Sequence, residues 1–439
     1  MAMPWLQIAT ISASVLLAGW LGFRMERLLE RDAATRDDLV ARRAFAWNLS
    51  GRTLMEASWF MLGFTVFRFQ VEALGAPVWF TPLYLGLLVL VYGVGSFIWG
   101  TIADRVGQRR QLMMLGCAAI VGLMVPMPFV GLVPFVLLSL LQTTMLGCMR
   151  IPFALASEWT PDFRGEAIGL VHAMGWMLAV GVGAVVGGMY QRHGMLSAAI
   201  VGGLFYAAAA VCFYLMRDAR VDAVSANVAR FELRGLFQFE SPWPMRILAV
   251  VLLISIPRGA IVLNSLNYIE KTGFDLEFLF IMEAWALALN VVLFTYAGVI
   301  CDRFGAEIVL TASGLLYFVF WALFAIGLPA PLAVAIYLFP VVGLLYTSSD
   351  ALLARHTTLE ERNRGVGISG AVVFFGQFVG SASAALIMMG LSGSMGAVDQ
   401  YLWSFRIMVP LLAVGTFLGW RLTQHMAADS DVLEAEIAA

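Results

Sequence analysis

Thirteen apolar runs, each about the length of a bilayer-spanning helix, divide this chain from end to end. The first lies near Pro4–Phe23. The others lie near 54–74, 78–103, 111–130, 133–156, 165–190, 194–216, 245–269, 276–301, 307–327, 331–354, 365–390 and 401–421. Only short polar gaps separate them, so the 439 residues leave no room for a sizeable soluble domain. Charged residues make up 13% of the chain and apolar ones 61%, against about 25% and 45–50% in a water-soluble domain. That charge cannot cover a soluble surface, so the pattern excludes a cytosolic enzyme, a nucleic-acid binder and a disordered scaffold. The expected class is an all-α polytopic membrane protein.

The basic residues orient the helices. Segments 24–52, 105–110, 217–246 and 355–364, with Arg164, Arg303 and Arg421, carry 21 of the 27 basic residues. The opposite side carries Arg192 and Lys271, the chain's single lysine. The positive-inside rule therefore places the arginine-rich segments in the cytoplasm, the N-terminus outside and the C-terminal tail inside. The opening run has no positive charge before it and arginines after it, so it reads as an uncleaved anchor, not a signal peptide. Cys117, Cys148, Cys212 and Cys301 show no metal-ligand spacing and read as small packing residues.

Two stretches recur. Gly100-Thr-Ile-Ala-Asp104-Arg105-Val-Gly107 closes one apolar run, and Gly298-Val-Ile-Cys-Asp302-Arg303-Phe-Gly305 closes another 198 residues later. Arg164-Gly165 and Arg364-Gly365 repeat at an offset of 200. Two parallel six-span halves joined by a cytoplasmic linker account for both offsets, and folds of that plan bind ligand near the bilayer midplane where the halves meet. The expected organisation is an extra helix and arginine-rich linker over 1–50, six-helix bundles over 51–216 and 245–424, a linker over 217–244 and a tail over 425–439.

The run Gly100–Gly107 with Gln108-Arg109-Arg110 resembles the signature loop of the major facilitator superfamily, between that fold's spans two and three. Gly298–Gly305 resembles its weaker second copy, with Ala306-Glu307 where the first copy has basic residues. Glu158-Trp-Thr-Pro161-Asp162-Phe-Arg164-Gly165 resembles the family's link between spans four and five. The resemblance covers residues ~50–421 and leaves the opening span outside the family's twelve. It implies two pseudo-symmetric six-helix bundles, thirteen spans with the extra helix, and a secondary transporter that works by alternating access in a bacterial inner membrane. Asp104 is expected to pair with a link arginine such as Arg164 and to break that pair during the cycle, with Gly100 admitting a neighbouring helix and Gly107 the turn. Arg105, Arg109, Asp302, Arg303 and Gly305 belong to the same switch. The bland alternative is that these charges only anchor helix ends at the headgroups.

Charges within spans are costly and mark candidate sites. Arg150 and Asp350 stand 200 residues apart at matched places in spans four and ten. They suit a bridge between the halves or a site for a charged or zwitterionic solute; each could instead snorkel to the near interface. Arg258 lies deep in span seven beside Pro257, with Asn264 and Asn267 beyond it. Arg68, with Glu72 one turn on, and Glu283 complete the set; Gln142 and Gln377 add polar lining. Arg258–Glu283 is an expected pair, and Arg68–Glu72 could be a local one. The surplus of arginine favours an organic anion. Proton coupling would need a buried carboxylate, Glu283 or Glu56, of which Glu56 starts nearer the arginine-rich surface. His172 reads more readily as a helix–helix hydrogen-bonding group than as a proton carrier.

Met145, Cys148 and Met149, with Met174 and Met177, would suit Cu(I), a lesser alternative to packing. The chain has no nucleotide-binding loop and no enzyme motif, and no cofactor is expected. Its expected partners are a small-molecule substrate and membrane lipid, with no nucleic acid. A non-transporting assembly factor, docking a membrane-protein partner through the opening helix, is the competing class.

Overall fold

The computed structural model describes residues 4–33, 35–106, 108–160, 163–217, 239–339, 341–357 and 359–438. Among these, every regular element is helical. The helices are α1 (Pro4–Arg31), α2 (Leu39–Ala57), α3 (Phe67–Ala73), α4 (Phe80–Val106), α5 (Arg109–Met124), α6 (Leu132–Met145), α7 (Ile151–Trp159) and α8 (Arg164–His193). They continue as α9 (Met195–Leu215), α10 (Trp243–Lys271), α11 (Leu276–Phe304), α12 (Ala306–Ile326), α13 (Ala330–Tyr337), α14 (Val342–Arg355), α15 (Leu359–Leu391) and α16 (Ala397–Ala438).

Eleven helical stretches among the described residues are long and apolar enough to cross a bilayer. The two remaining expected spans, 54–74 and 331–354, are interrupted. The first begins far upstream, where Asp38 caps α2 by accepting from the Val40 and Ala41 amides at 3.0 and 2.9 Å. That helix passes into a π-helical stretch over Ser58–Val66 before α3 resumes the α-helical spacing. Such wider turns are rare and frequently accompany functional sites. The second is cut between Tyr337 and Val342.

The chain forms two compact units. The first comprises residues 1–229 with 273–295; the second comprises 230–272 with 296–439. The boundary at 295/296 falls inside α11. In the first unit, α1 lies along α8, while α2 packs on α8 and α9. In the second, α10 packs on α15 and α16, and α12 on α14 and α16.

Close helix approach rests on glycine. A methyl group at Gly95 of α4 would collide with the Thr144 carbonyl of α6, and one at Gly147 with the backbone of Gly95. In the second unit, methyl groups at Gly259 and Gly380 would collide with the Gln377 and Ile256 carbonyls across the α10–α15 contact. Contacts between small residues let van der Waals packing hold helices together in lipid. Gly100 does not have the close-approach role expected from its motif, because open space surrounds it. The close approach on α4 is at Gly95, more than a turn earlier.

The tandem repeat extends beyond its motif. Gly75 and Gly273, again 198 residues apart, both adopt positive φ (89° and 106°) just after α3 and α10. Only glycine takes this conformation without strain.

Candidate functional site

In the first unit the central feature is a buried charge cluster between α2 and α8. Arg52 and Glu56 stand one helical turn apart and form an ion pair with side chains 1% and 5% exposed. Glu56 Oε1 also accepts a hydrogen bond from Trp176 Nε1 at 3.1 Å, and His172 Nδ1 lies 3.9 Å from the same oxygen. His172 and Trp176 are themselves one turn apart on α8, so two i,i+4 pairs face each other. Gly175 makes this possible, since a β-carbon there would sit 2.5 Å from Glu56 Oε2. Trp176 is gripped edge-on by Phe60 and Phe294, each with ring centroids 5.1 Å away. The carboxylate thus has a cation, an indole N–H and an imidazole around it in a water-poor setting.

Arg150, half-buried, ends the tight 3₁₀ turn Leu146–Arg150. Its guanidinium lies 5.9 Å from the Tyr92 ring centre, and Tyr92 stacks on Trp59 at 6.0 Å. Arg150 is near enough to Arg52 for the two cations to act on each other. Arg68 is 2% exposed. In the next turns, Gln70 accepts from the Tyr190 hydroxyl at 2.9 Å and Glu72 from the Thr81 hydroxyl at 3.0 Å. Gln142 is buried inside the bundle, turned toward Tyr206 and Ser58, and does not line an open face. Glu283, half-buried on α11, belongs to this unit.

In the second unit the centre is Arg258 on α10. Its guanidinium lies 4.9 Å from the ring centre of Tyr346 and faces the hydroxyl of Tyr317. Gln377 Nε2 donates to the Tyr346 hydroxyl at 3.1 Å, which fixes that ring against the cation. Arg258 Nε and Nη1 are buried and have no hydrogen-bond partner among the described residues. The neighbouring backbone is tightly held, because Ser381 Oγ donates to the Gly259 carbonyl at 2.8 Å. Asn264 turns its amide back on its own helix, donating to Gly259 and Ala260 at 3.2 and 2.9 Å. Its Oδ1 is buried without a hydrogen-bond partner among the described residues. Asn267 is fully buried a turn further on. Asp350, half-buried on α14, accepts from Ser369 Oγ at 2.9 Å.

Of the loop residues, Gly107 and the side chains of Asp104, Arg164 and Asp302 lie outside the described residues. Arg105 and Arg303 are exposed. Gly305 takes φ +85° as α12 begins. Arg109 forms a two-pronged bond to Glu158 at the end of α7, at 2.9 and 2.7 Å. At the matched place in the second unit, Glu307 pairs with Arg355 at 3.4 Å. The tie is the same with its charges exchanged. This gives a structural use to the acidic residue that stands after Gly305 where the first copy has arginines.

Of the candidate soft ligands, Met177 and Met149 lie in packed surroundings. Met177 receives the Ser14 hydroxyl on both its carbonyl (2.9 Å) and its sulfur (3.6 Å), and Met149 is 1% exposed. Among the described residues no group of three or more His, Cys, Asp or Glu could hold a metal ion.

Sequence reasoning passed over Arg52, Trp176, Tyr317 and Tyr346. Arg52 was counted with the surface arginines because an apolar run begins only after it. The i,i+4 spacings Arg52–Glu56 and His172–Trp176 were the available signal.

Several solved structures share the helical plan of this chain. The nucleoside transporter NupG aligns with a TM-score of 0.66 at 12% identity, over 88% of this chain and 99% of that one. A POT family transporter in complex with a thioalcohol-conjugated peptide aligns at 0.67 and 10% identity, over 88% and 96%. The human organic anion transporter MFSD10 aligns at 0.60 and 14% identity, over 86% and 99%. At such identities the likeness is one of fold. In sequence, an uncharacterized MFS-type transporter of Bacillus subtilis, YfnC, is 28% identical over 109 residues, 24% of this chain and 26% of that protein. The match thus spans about a quarter of that relative's length. The sequence profile of the Major Facilitator Superfamily matches residues 49–296, more than half of the chain and all of the first repeat. The chain belongs to the Major Facilitator Superfamily.

Proposed function

We propose that this chain is a secondary transporter of a small organic anion or zwitterion, working by alternating access in a bacterial plasma membrane. In this reading its N-terminus is outside and its arginine-rich segments are cytoplasmic. One observation carries the choice of solute. A guanidinium at membrane depth needs a counter-charge or a full set of acceptors. Arg258 has two nitrogens, Nε and Nη1, buried and unmatched among the described residues, in a setting of tyrosine ring, tyrosine hydroxyl and glutamine. A carboxylate or phosphate presents acceptors in the planar fork geometry that guanidinium donors match. An organic anion transporter stands among the structural neighbours, which fits this reading.

Coupling to protons would run through Glu56. That carboxylate is held by Arg52 and Trp176, with His172 3.9 Å away and 36% exposed at its side chain, so a titratable group stands beside the buried acid. Protonating Glu56 would release Arg52, a change of charge pairing that can bias two conformations.

The test is uptake into proteoliposomes of a panel of radiolabelled mono- and dicarboxylates, amino acids and sugar phosphates, with and without an inward proton gradient. At least one anionic or zwitterionic solute should accumulate with the gradient. Arg258→Gln should abolish its binding, and Glu56→Gln should abolish accumulation while leaving solute exchange intact. Uptake confined to neutral or cationic solutes would refute the reading of Arg258, and no flux with any solute would refute transport.

A further inference from the structure

The extra helix α1 is attached to the first unit in two different ways. Along α8 it is fixed throughout its length. Ser14 donates to the Met177 carbonyl at mid-helix, close against Gly181, where a β-carbon would approach Ser14 Oγ to 2.9 Å. At the arginine-rich end, Arg24 and Arg31 both reach Glu166 of α8, at 3.2 and 2.5 Å. Leu21, Met25, Leu28 and Leu29 are buried on the same side. A hairpin continues this attachment into α2, where Arg42 pairs with Glu26 at 2.6 Å.

Against α11 the attachment is of another kind. It is confined to the opposite end of α1 and consists of two side-chain hydrogen bonds. Gln7 Nε2 donates to Glu277 Oε1 at 2.6 Å, and Trp285 Nε1 donates to Thr10 Oγ1 at 3.0 Å. Beneath them α8 and α11 meet through a small-residue contact. Phe280 of α11 packs on Gly187, whose absent β-carbon would come within 2.7 Å of it, and on the ring of Tyr190 at 6.4 Å. Only residues 276–295 of α11 belong with α1 and α8; from Tyr296 onward the helix belongs to the other unit.

We infer that α1 is a strap that rides permanently on α8 and reversibly clips the Gln7-proximal part of α11 to it, so that α1 sets how readily α8 and α11 part. This rests on the alternating-access reading, in which the second span of the C-terminal half must leave the fifth span of the N-terminal half on one side of the membrane. The two attachments suit these roles. Ion pairs and a packed face along four turns hold α1 to α8. Two side-chain hydrogen bonds are a releasable clip, since interhelical hydrogen bonds in a bilayer are individually modest.

Purified protein in lipid nanodiscs tests the inference without any substrate, so its failure is distinct from a failure of transport. Cys117, Cys148, Cys212 and Cys301 are all buried, which leaves an introduced cysteine as the reactive one. With Phe280→Cys as reporter, the Gln7→Ala/Thr10→Ala double substitution should raise maleimide labelling roughly tenfold, the shift expected for two lost hydrogen bonds. Ser14→Ala, which touches α8 only, should leave labelling unchanged. Tyr190→Cys serves as a reporter from the α8 side if Phe280→Cys does not fold. Unchanged labelling in the double variant, or an equal rise with Ser14→Ala, would overturn the strap. A Gln7→Cys/Glu277→Cys disulfide should suppress labelling at the reporter, and reduction should restore it. Full labelling in the cross-linked form would also defeat the inference.

Discussion

Glu56 closely follows the arginine-rich segment 24–52, yet its side chain is buried against α8. The capping carboxylate of Asp38 starts the helix much earlier, and by residue 56 the chain has travelled ~26 Å along the axis. Glu56 and Arg52 are therefore interior groups, and Gly175 leaves a space that the carboxylate fills. Breaking a buried ion pair leaves an uncompensated charge, which costs about 3–5 kcal/mol, whereas replacing both partners by apolar residues can be neutral. Arg52→Met and Glu56→Met should each destabilise by that order in denaturant titrations in detergent. The double variant should recover most of the loss. A double variant no more stable than either single one would mean that the pair's environment is built for charge. The place of His172 beside a buried acid was not legible, because nothing in one sequence says which residue of α2 faces α8.

At the scale of elements, the repeat was readable from its glycines and charges, but its chemistry was readable only in part. The motif Gly100–Gly107 and its copy matched in turn residues, yet Glu307 stands where the first copy has basic residues. The structure makes this a sign inversion. Arg109–Glu158 and Glu307–Arg355 both tie the start of a third helix to the end of a fourth. A tie needs opposite charges, not a particular order, so Arg109→Glu should weaken the fold and Glu158→Arg added to it should restore the lost thermal stability. Because Glu158 is 44% exposed, the loss should be about 1 kcal/mol, a shift of a few degrees in Tm. Failure of the reversed pair to recover stability would show that the two-pronged geometry of Arg109 matters more than its charge. The glycine contacts predict a much larger effect. Gly380→Leu places a side chain where the Ile256 carbonyl already lies, so α15 must move away from α10. Its folded yield on size-exclusion chromatography should collapse, whereas Gly390→Leu, with open space around it, should be tolerated.

For the molecule as a whole, apolar run length identified a polytopic helical membrane protein because that property needs only composition and spacing. It did not reveal the two interruptions, which depend on backbone hydrogen bonding, nor the side of α1 that faces protein. The opening helix shows an apolar periphery, with Ile8, Val15 and Leu16 64%, 66% and 74% exposed. Four of its polar side chains, Gln7, Thr10, Ser14 and Arg24, point inward to α8 and α11, while Ser12, Arg27 and Glu30 are exposed. In hydrocarbon, where apolar contact gives no preference between lipid and protein, the four inward groups decide where the helix docks. A chain beginning at residue 38 should therefore insert but melt several degrees lower, because the two Glu166 ion pairs and the Met177 contact are lost together. Residues 1–37 co-expressed as a separate fragment should bind the truncated chain and restore its Tm, as independently stable helices do when their docking groups are intact. If the truncated chain melts like the full one, the inward polar groups contribute nothing, and α1 is held only by its covalent link to α2.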